Sequence, residues 1–342
     1  MSTPFRHTAP PSPREAEGRV AEVYAQLARD AGTAAPPTFV VLSSAPELMV
    51  PVWALLRESL IAGPGDRTGK EVAAYGVSLA NRCPFCVSAR TVLLHATGDH
   101  ALAERLARGE RPQSEPHARV LDWAARTRVP GADLGPLPFA REDLPGYLGT
   151  ALAFHFVNRL VSALLTENLL PAGAERLRPV RSLTGRSMSR AVRRTAVPGA
   201  SLPLLETPGE TPGEAPGEGP VWAAGTAVGP AYDALRTAAS AGAVLLGEDE
   251  LRLVREGVAA WDGAHPPVIL RGYPHRRELP GARLALLAAR APYRITGEDV
   301  AAWRQEGRTD GDLVRLVAYG AFLAVERIES ALHFSPHPAR HI

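Results

Sequence analysis

Apolar positions recur at helical spacing along most of this chain, and the breaks between them fall at glycine, proline and short polar turns. Val20, Val23, Tyr24 and Leu27 form a stripe that ends near Gly32, and Ala35-Pro36-Pro37 follows as a turn. Phe39 to Leu42 is a short apolar run, read as a short helix rather than a strand. Ser43-Ser44-Ala45-Pro46 then opens a long apolar helix from about Glu47 to Ile61, which Gly63-Pro64-Gly65-Asp66 terminates. Thr68 begins a helix carrying Val72, Ala73, Tyr75, Gly76, Leu79 and Ala80, and Asn81-Arg82 interrupts it. A further helix starts at Cys83-Pro84-Phe85-Cys86 and runs to Gly98. Short helices follow over 101–108 and 117–126, then a loop or lid-sized connection over 129–145, then a strongly helical segment from Tyr147 to Leu165. The fold class predicted is all-α.

His155, Asn158 and Ser162 lie three and four residues apart on that last helix, among Leu152, Phe154, Phe156, Val157, Leu160 and Val161. They share one face. Such a polar line either satisfies itself by hydrogen bonding inside a core or lines a site. From Arg176 to Arg194 there are seven arginines and no acid after Glu175, and Arg186, Arg190 and Arg193 fit one helical face. That face suits an interdomain or subunit contact, a solvated surface, or an anion.

Glu206 to Pro220 reads ETPGETPGEAPGEGP, a Pro-Gly-Glu tract that cannot bury a core and predicts a flexible linker. It divides the chain into a first part, 1–200, a linker, 201–220, and a second part, 221–342. The second part repeats the first in outline. Leu79 to Cys86 aligns without gaps on Leu287 to Arg294, and Asn158 to Leu164 on Glu326 to Leu332. Both cysteines are lost in the second copy, and Leu279 stands where the first has Glu71. It keeps a helical framework without thiol chemistry, as a structural half packed against the active one.

Composition narrows the function without naming it. The 342 residues carry a net charge of +2, which argues against nucleic acid as a partner. No run approaches a membrane span and the N-terminus lacks a signal-peptide pattern, so a cytoplasmic location is expected. The two cysteines, Cys83 and Cys86, are the only ones in the chain, three apart at a helix start. Unpaired backbone N–H groups in a first helical turn stabilise a thiolate, which predicts a lowered pKa for Cys86. Zinc would need four ligands, and no second CxxC or HxxxH supplies the others. A thioredoxin-type module would place CxxC after a strand, whereas helices flank it here. Two inert buried thiols are the remaining alternative.

Glu71, eleven residues, Cys83, two residues, Cys86, in helical surroundings, resembles the AhpD-like alkylhydroperoxidases of the carboxymuconolactone decarboxylase superfamily, whose signature is E-x(11)-C-x-x-C-x-x-x-H. The resemblance covers residues 40–165, with the second part as a degenerate copy. It implies an all-α bundle and a thiol peroxidase that needs no bound cofactor. The cysteine matching Cys86 would attack a hydroperoxide, the one matching Cys83 would close the disulfide, and Glu71 would take part in proton transfer. A reduced thiol or lipoylated protein would reopen the disulfide, in a homo-oligomer such as a trimer or hexamer.

Arg90 stands at the motif's histidine. Arginine keeps a positive charge near the thiolate and cannot shuttle a proton at neutral pH. His155 is the expected stand-in, with Asn158, Ser162 and Phe85 lining the substrate pocket. The alternatives to a peroxidase are a dithiol/disulfide oxidoreductase, a tailoring enzyme on the same scaffold, and a non-catalytic assembly or binding protein.

Overall fold

A computed structural model describes residues 3–206, 219–267, 270, 272–304 and 307–332. Within them the chain forms fourteen α-helices and no strand, the only sheet-like contact being an isolated bridge between Phe5 and Leu165. Most of the linker tract, 207–218, lies outside the described residues.

The first part opens with α1 (Gly18–Gln26), which continues as a π-helical turn to Gly32, a glycine at φ 75°. α2 (Pro37–Leu42) and α3 (Pro46–Leu56) follow, and α3 likewise ends in a π turn, Arg57–Ile61. α4 (Arg67–Ala80) starts at Asp66, whose Oδ2 accepts from Gly69 N at 2.6 Å, as an N-cap should. α5 (Pro84–Thr97) begins with proline in its first turn, where a missing N–H costs nothing, and ends at Gly98 in the left-handed region. Between them, Asn81 and Arg82 reverse the chain, Arg82 at φ 55°, so α4 and α5 pack as a hairpin. α6 (His100–Ala107), α7 (Glu115–Arg126), α8 (Leu144–Leu164) and α9 (Arg178–Val192) complete this part.

α8 is the axis of the molecule. Nearly every one of its residues is buried, because α4, α3 and the second part all pack on it. Burying each large apolar side chain there contributes about 1.5–3 kcal/mol, which outweighs the polar groups the helix also carries inside.

In the second part, α10 (Val228–Ser240) lies on α3, and α14 (Asp310–Ser330) lies on α8. α11 (Glu248–Ala259), α12 (Pro280–Arg290) and α13 (Gly297–Trp303) pack around α14, with α12 against it as α4 is against α8. One hydrophobic core runs through both parts without a break. The contact between them is close at Gly149, where a Cβ would fall 2.7 Å from Val228 Cγ1. It is also polar, since Arg159 Nε donates to Ala289 O at 2.7 Å and His265 Nε2 sits 2.9 Å from Ala80 O.

The connection over 129–145 is pinned. Phe139 stacks on Tyr147 with ring centroids 4.1 Å apart and meets Trp123 edge-on. α9 packs on α5, with Arg181 buried against Glu104 at 2.8 Å and Arg193 Nε donating to Ala96 O at 3.1 Å. Arg186 and Arg190 are exposed.

Candidate active site

Cys83 occupies the N-cap position of α5 and Cys86 its first turn, so the two thiols share one corner of the α4–α5 hairpin. Both are free and buried, 1% and 4% exposed, with their sulfurs 2.7 Å apart. That is close enough for proton exchange and leaves little motion between dithiol and disulfide, whose S–S bond is about 2.05 Å.

Their electrostatics are unequal. Burial pushes the Cys83 thiol up, but hydrogen bonding from Cys86, Ser162 and the Cys86 backbone N–H, together with the charge of Arg90, brings it below its ordinary value. Burial and the adjacent Cys83 sulfur push Cys86 well above its ordinary value, with Arg90 opposing. The helix start thus serves Cys83, contrary to the expectation that Cys86 ionises first. The physical reason is position: an N-cap side chain faces the free N–H groups, whereas a first-turn side chain points away from them. Ser162 Oγ stands beside Cys83, buried and without a well-formed hydrogen bond.

Glu71 is fully buried one helix away and touches neither sulfur through a hydrogen bond. Its Oε1 accepts from Arg67 at 2.8 Å and its Oε2 from Arg90 at 2.8 Å. Arg90 lies over the Phe154 ring at 4.7 Å, and its Nε is buried without a partner. Glu71 therefore meets Arg90 rather than the sulfurs, and holds it across the hairpin.

Two cavities meet the dithiol. The larger, about 380 Å³, is walled mainly by apolar side chains from α2, α3, α5, α8 and α9, and reaches Cys86, Arg67 and Arg90. The smaller, about 320 Å³, reaches Cys83, Arg82, Ser162 and Tyr293, and Arg6 lines it as well. Phe85 lines both.

His155 and Asn158 belong to neither cavity, so the sequence expectation for them does not hold in this geometry. His155 is sealed in the core, Nδ1 3.1 Å from Asn81 Nδ2 and Nε2 2.8 Å from Thr127 Oγ1. Burial, then Arg159 and Arg128, hold its pKa well below the usual value, which leaves it neutral and occupied at both nitrogens. Asn158 Oδ1 accepts from Ser78 at 3.2 Å. Ser162, seven residues beyond His155, is about 10 Å further along the axis. The shared face is real, but only its far end reaches a thiol.

The sequence reading missed Arg6, Arg67, Asn81 and Arg128. Asn81 Oδ1 accepts from Arg128 Nη1 at 2.6 Å, tying the motif turn to the chain just after α7 and, through His265, to the second part. Arg6 donates to Ser162 O at 3.0 Å and Ile295 O at 2.6 Å. Only Arg67 left a signal, four residues before Glu71 on one helix face. Among the described residues no group of three or more His, Cys, Asp or Glu is placed to hold a metal ion, and no helix among them is long and apolar enough to cross a membrane.

Compared with known proteins, the chain is 37% identical over 330 residues to the alkyl hydroperoxide reductase Rv2159c of Mycobacterium tuberculosis, spanning 94% of this chain and 93% of that protein. The chain belongs to the AhpD-like alkylhydroperoxidase family. No family model matches it, and no solved structure does. As an AhpD-like protein it has the all-α bundle expected, with the dithiol at the hairpin between its fourth and fifth helices.

Proposed function

We propose that this protein is a thiol-dependent peroxidase that reduces organic hydroperoxides, and hydrogen peroxide, through a Cys83/Cys86 dithiol–disulfide cycle. The observation that carries the reading is the placement of Cys86 on the wall of an apolar cavity, 2.7 Å from the more acidic Cys83 and within the field of Arg90. The family's relative is named for the same activity.

The cycle starts with Cys83 as the thiolate and Cys86 as the thiol. Cys83 takes the proton of Cys86, and the Cys86 thiolate attacks the distal peroxide oxygen, forming S–O as O–O breaks. The departing alkoxide collects that proton from Cys83 and leaves as the alcohol. Cys83, a thiolate again, displaces hydroxide from the Cys86 sulfenic acid, giving the disulfide and, with one further proton, water. Arg90 stabilises the developing negative charge without donating a proton, and Glu71 keeps it in place. No histidine is needed, because the second thiol carries the proton.

The test is consumption of cumene hydroperoxide by reduced protein with excess dithiol, beside Cys86→Ser and Cys83→Ser. Turnover should vanish in both variants, and one equivalent should be consumed only where Cys86 remains, more slowly in Cys83→Ser, which lacks the proton carrier, than in the wild type. If the wild type consumes none while both thiols stay titratable, the peroxidase reading is wrong and dithiol exchange takes its place.

A further inference from the structure

The two cavities divide the two sulfurs between them. The apolar one reaches Cys86 and not Cys83; the polar one reaches Cys83 and not Cys86. Leu56, Leu60, Phe154, Val157 and Met188 wall the first. Arg6, Arg82, Ser162, Thr166, Glu167 and Tyr293 edge the second, an excess of one positive charge.

We propose that the two halves of the cycle use opposite sides of the dithiol: a hydroperoxide reaches Cys86 through the apolar cavity, and a slender, negatively charged thiol reaches Cys83 through the polar one. The oxidising half rests on the peroxidase reading above; the reducing half stands on the disulfide alone. Displacement at a disulfide sulfur proceeds along the S–S axis, from the side opposite the leaving sulfur. A thiolate entering the polar cavity meets Cys83 with Cys86 behind it. It forms a bond to the Cys83 sulfur, and the S–S bond breaks to release Cys86 as a thiolate beside Arg90, whose charge opposes the effect of burial there. A second thiol, free or on the same reductant, then attacks the reductant's own sulfur, leaving with it as a disulfide and freeing Cys83. The released Cys86 faces the apolar cavity, ready for the next peroxide.

The charge preference follows from the mouth of the polar cavity. Arg6 is fixed there by its bonds to Ser162 O and Ile295 O, and Arg82 is held at the surface by the left-handed corner of the hairpin. Glu167 offsets one of the two. The surplus attracts an anionic thiol, whether a small carboxylate-bearing molecule or an arm presented by an acidic protein.

The disulfide is formed with diamide and its reduction followed with 3-mercaptopropionate and with cysteamine, each rate divided by that thiol's rate with a small free disulfide at the same pH. The anionic thiol should be favoured by about threefold or more, and Arg82→Glu should reverse the preference. Thr166→Phe, which fills the polar cavity, should slow reduction by both thiols about tenfold while oxidation of the reduced protein by cumene hydroperoxide changes by less than about threefold. Ala89→Phe, in the apolar cavity, should do the reverse. An unchanged preference in Arg82→Glu, or equal effects of the two filling variants on both half-reactions, overturns the proposal. Because diamide forms the disulfide, a protein inert to hydroperoxide still reports on the reducing side. A higher kcat/KM for reduction of the Cys83–Cys86 disulfide by an acidic protein bearing a dihydrolipoyl arm than by 3-mercaptopropionate would identify the arm, and the reverse order the free molecule.

Discussion

Arg90 Nη1 donates to Glu71 Oε2 at 2.8 Å, joining the helix before the dithiol to the helix after it. Through this contact an acid twelve residues before Cys83 bears on the thiols: it holds a cation whose charge favours both thiolates, beside the effects of burial and of the sulfur–sulfur contact. Arg90→Met should raise the pKa of the dithiol. A higher pKa removes thiolate faster than it gains nucleophilicity, so oxidation by cumene hydroperoxide at neutral pH should slow by about threefold or more. Arg90→Lys should recover most of it. Iodoacetamide alkylation across pH measures the pKa, and an unshifted profile in Arg90→Met would show that the charge does not govern the thiols.

Asn81→Ala removes an acceptor from buried Arg128 and a contact from His155 at once. Stability should fall by about 2–4 kcal/mol, as for a buried charge left unpaired. Urea unfolding reads it; a loss under about 0.5 kcal/mol would mean that water replaces Asn81 without cost.

Stability should also fall on acidification. His265, through burial first and Arg128 next, has its pKa lowered to about 4, and His155 is lowered well below 6.5. Between the folded and unfolded values the unfolded chain binds more protons, so stability is full above about pH 6.5 and declines as pH falls toward 4. Denaturant midpoints at pH 7 and 5 should separate in the wild type and separate less in His155→Gln and His265→Gln. Parallel shifts in all three would assign the acid sensitivity to carboxylates.

Gly149→Leu tests the seam between the two parts. A side chain there meets Val228 and Ser59, so the variant should lose about 1–3 kcal/mol or more. Differential scanning calorimetry should show one transition at lower temperature if the shared core melts as a unit, and two if the parts come apart.

Helices and their ends were legible because apolar spacing, Asp66, Pro84, Gly32 and Gly98 are local signals. The dithiol was legible by its spacing, and Arg90 by its departure from the motif. The division of acidity between Cys83 and Cys86 was not, since it turns on which sulfur faces the first-turn N–H groups and on Ser162, 79 residues away from Cys83 in sequence. His155 misled for a related reason. Helical periodicity places residues on a face and says nothing about how far along the axis the site extends. Arg6 lies before the first apolar stripe of the chain, and its partners, Ser162 O and Ile295 O, are backbone atoms that no side-chain pattern marks.

Tyr293, at the edge of the polar cavity, belongs to the second part of the chain, as does Ala289, which receives Arg159. The part without thiols thus supplies one wall residue of the polar cavity and an anchor for Arg159. Had these belonged to a separate subunit, dilution would remove them. Carried on one polypeptide, they stay at a high effective concentration at any protein level, so this much of the dithiol's surroundings does not depend on how much of the protein a cell makes.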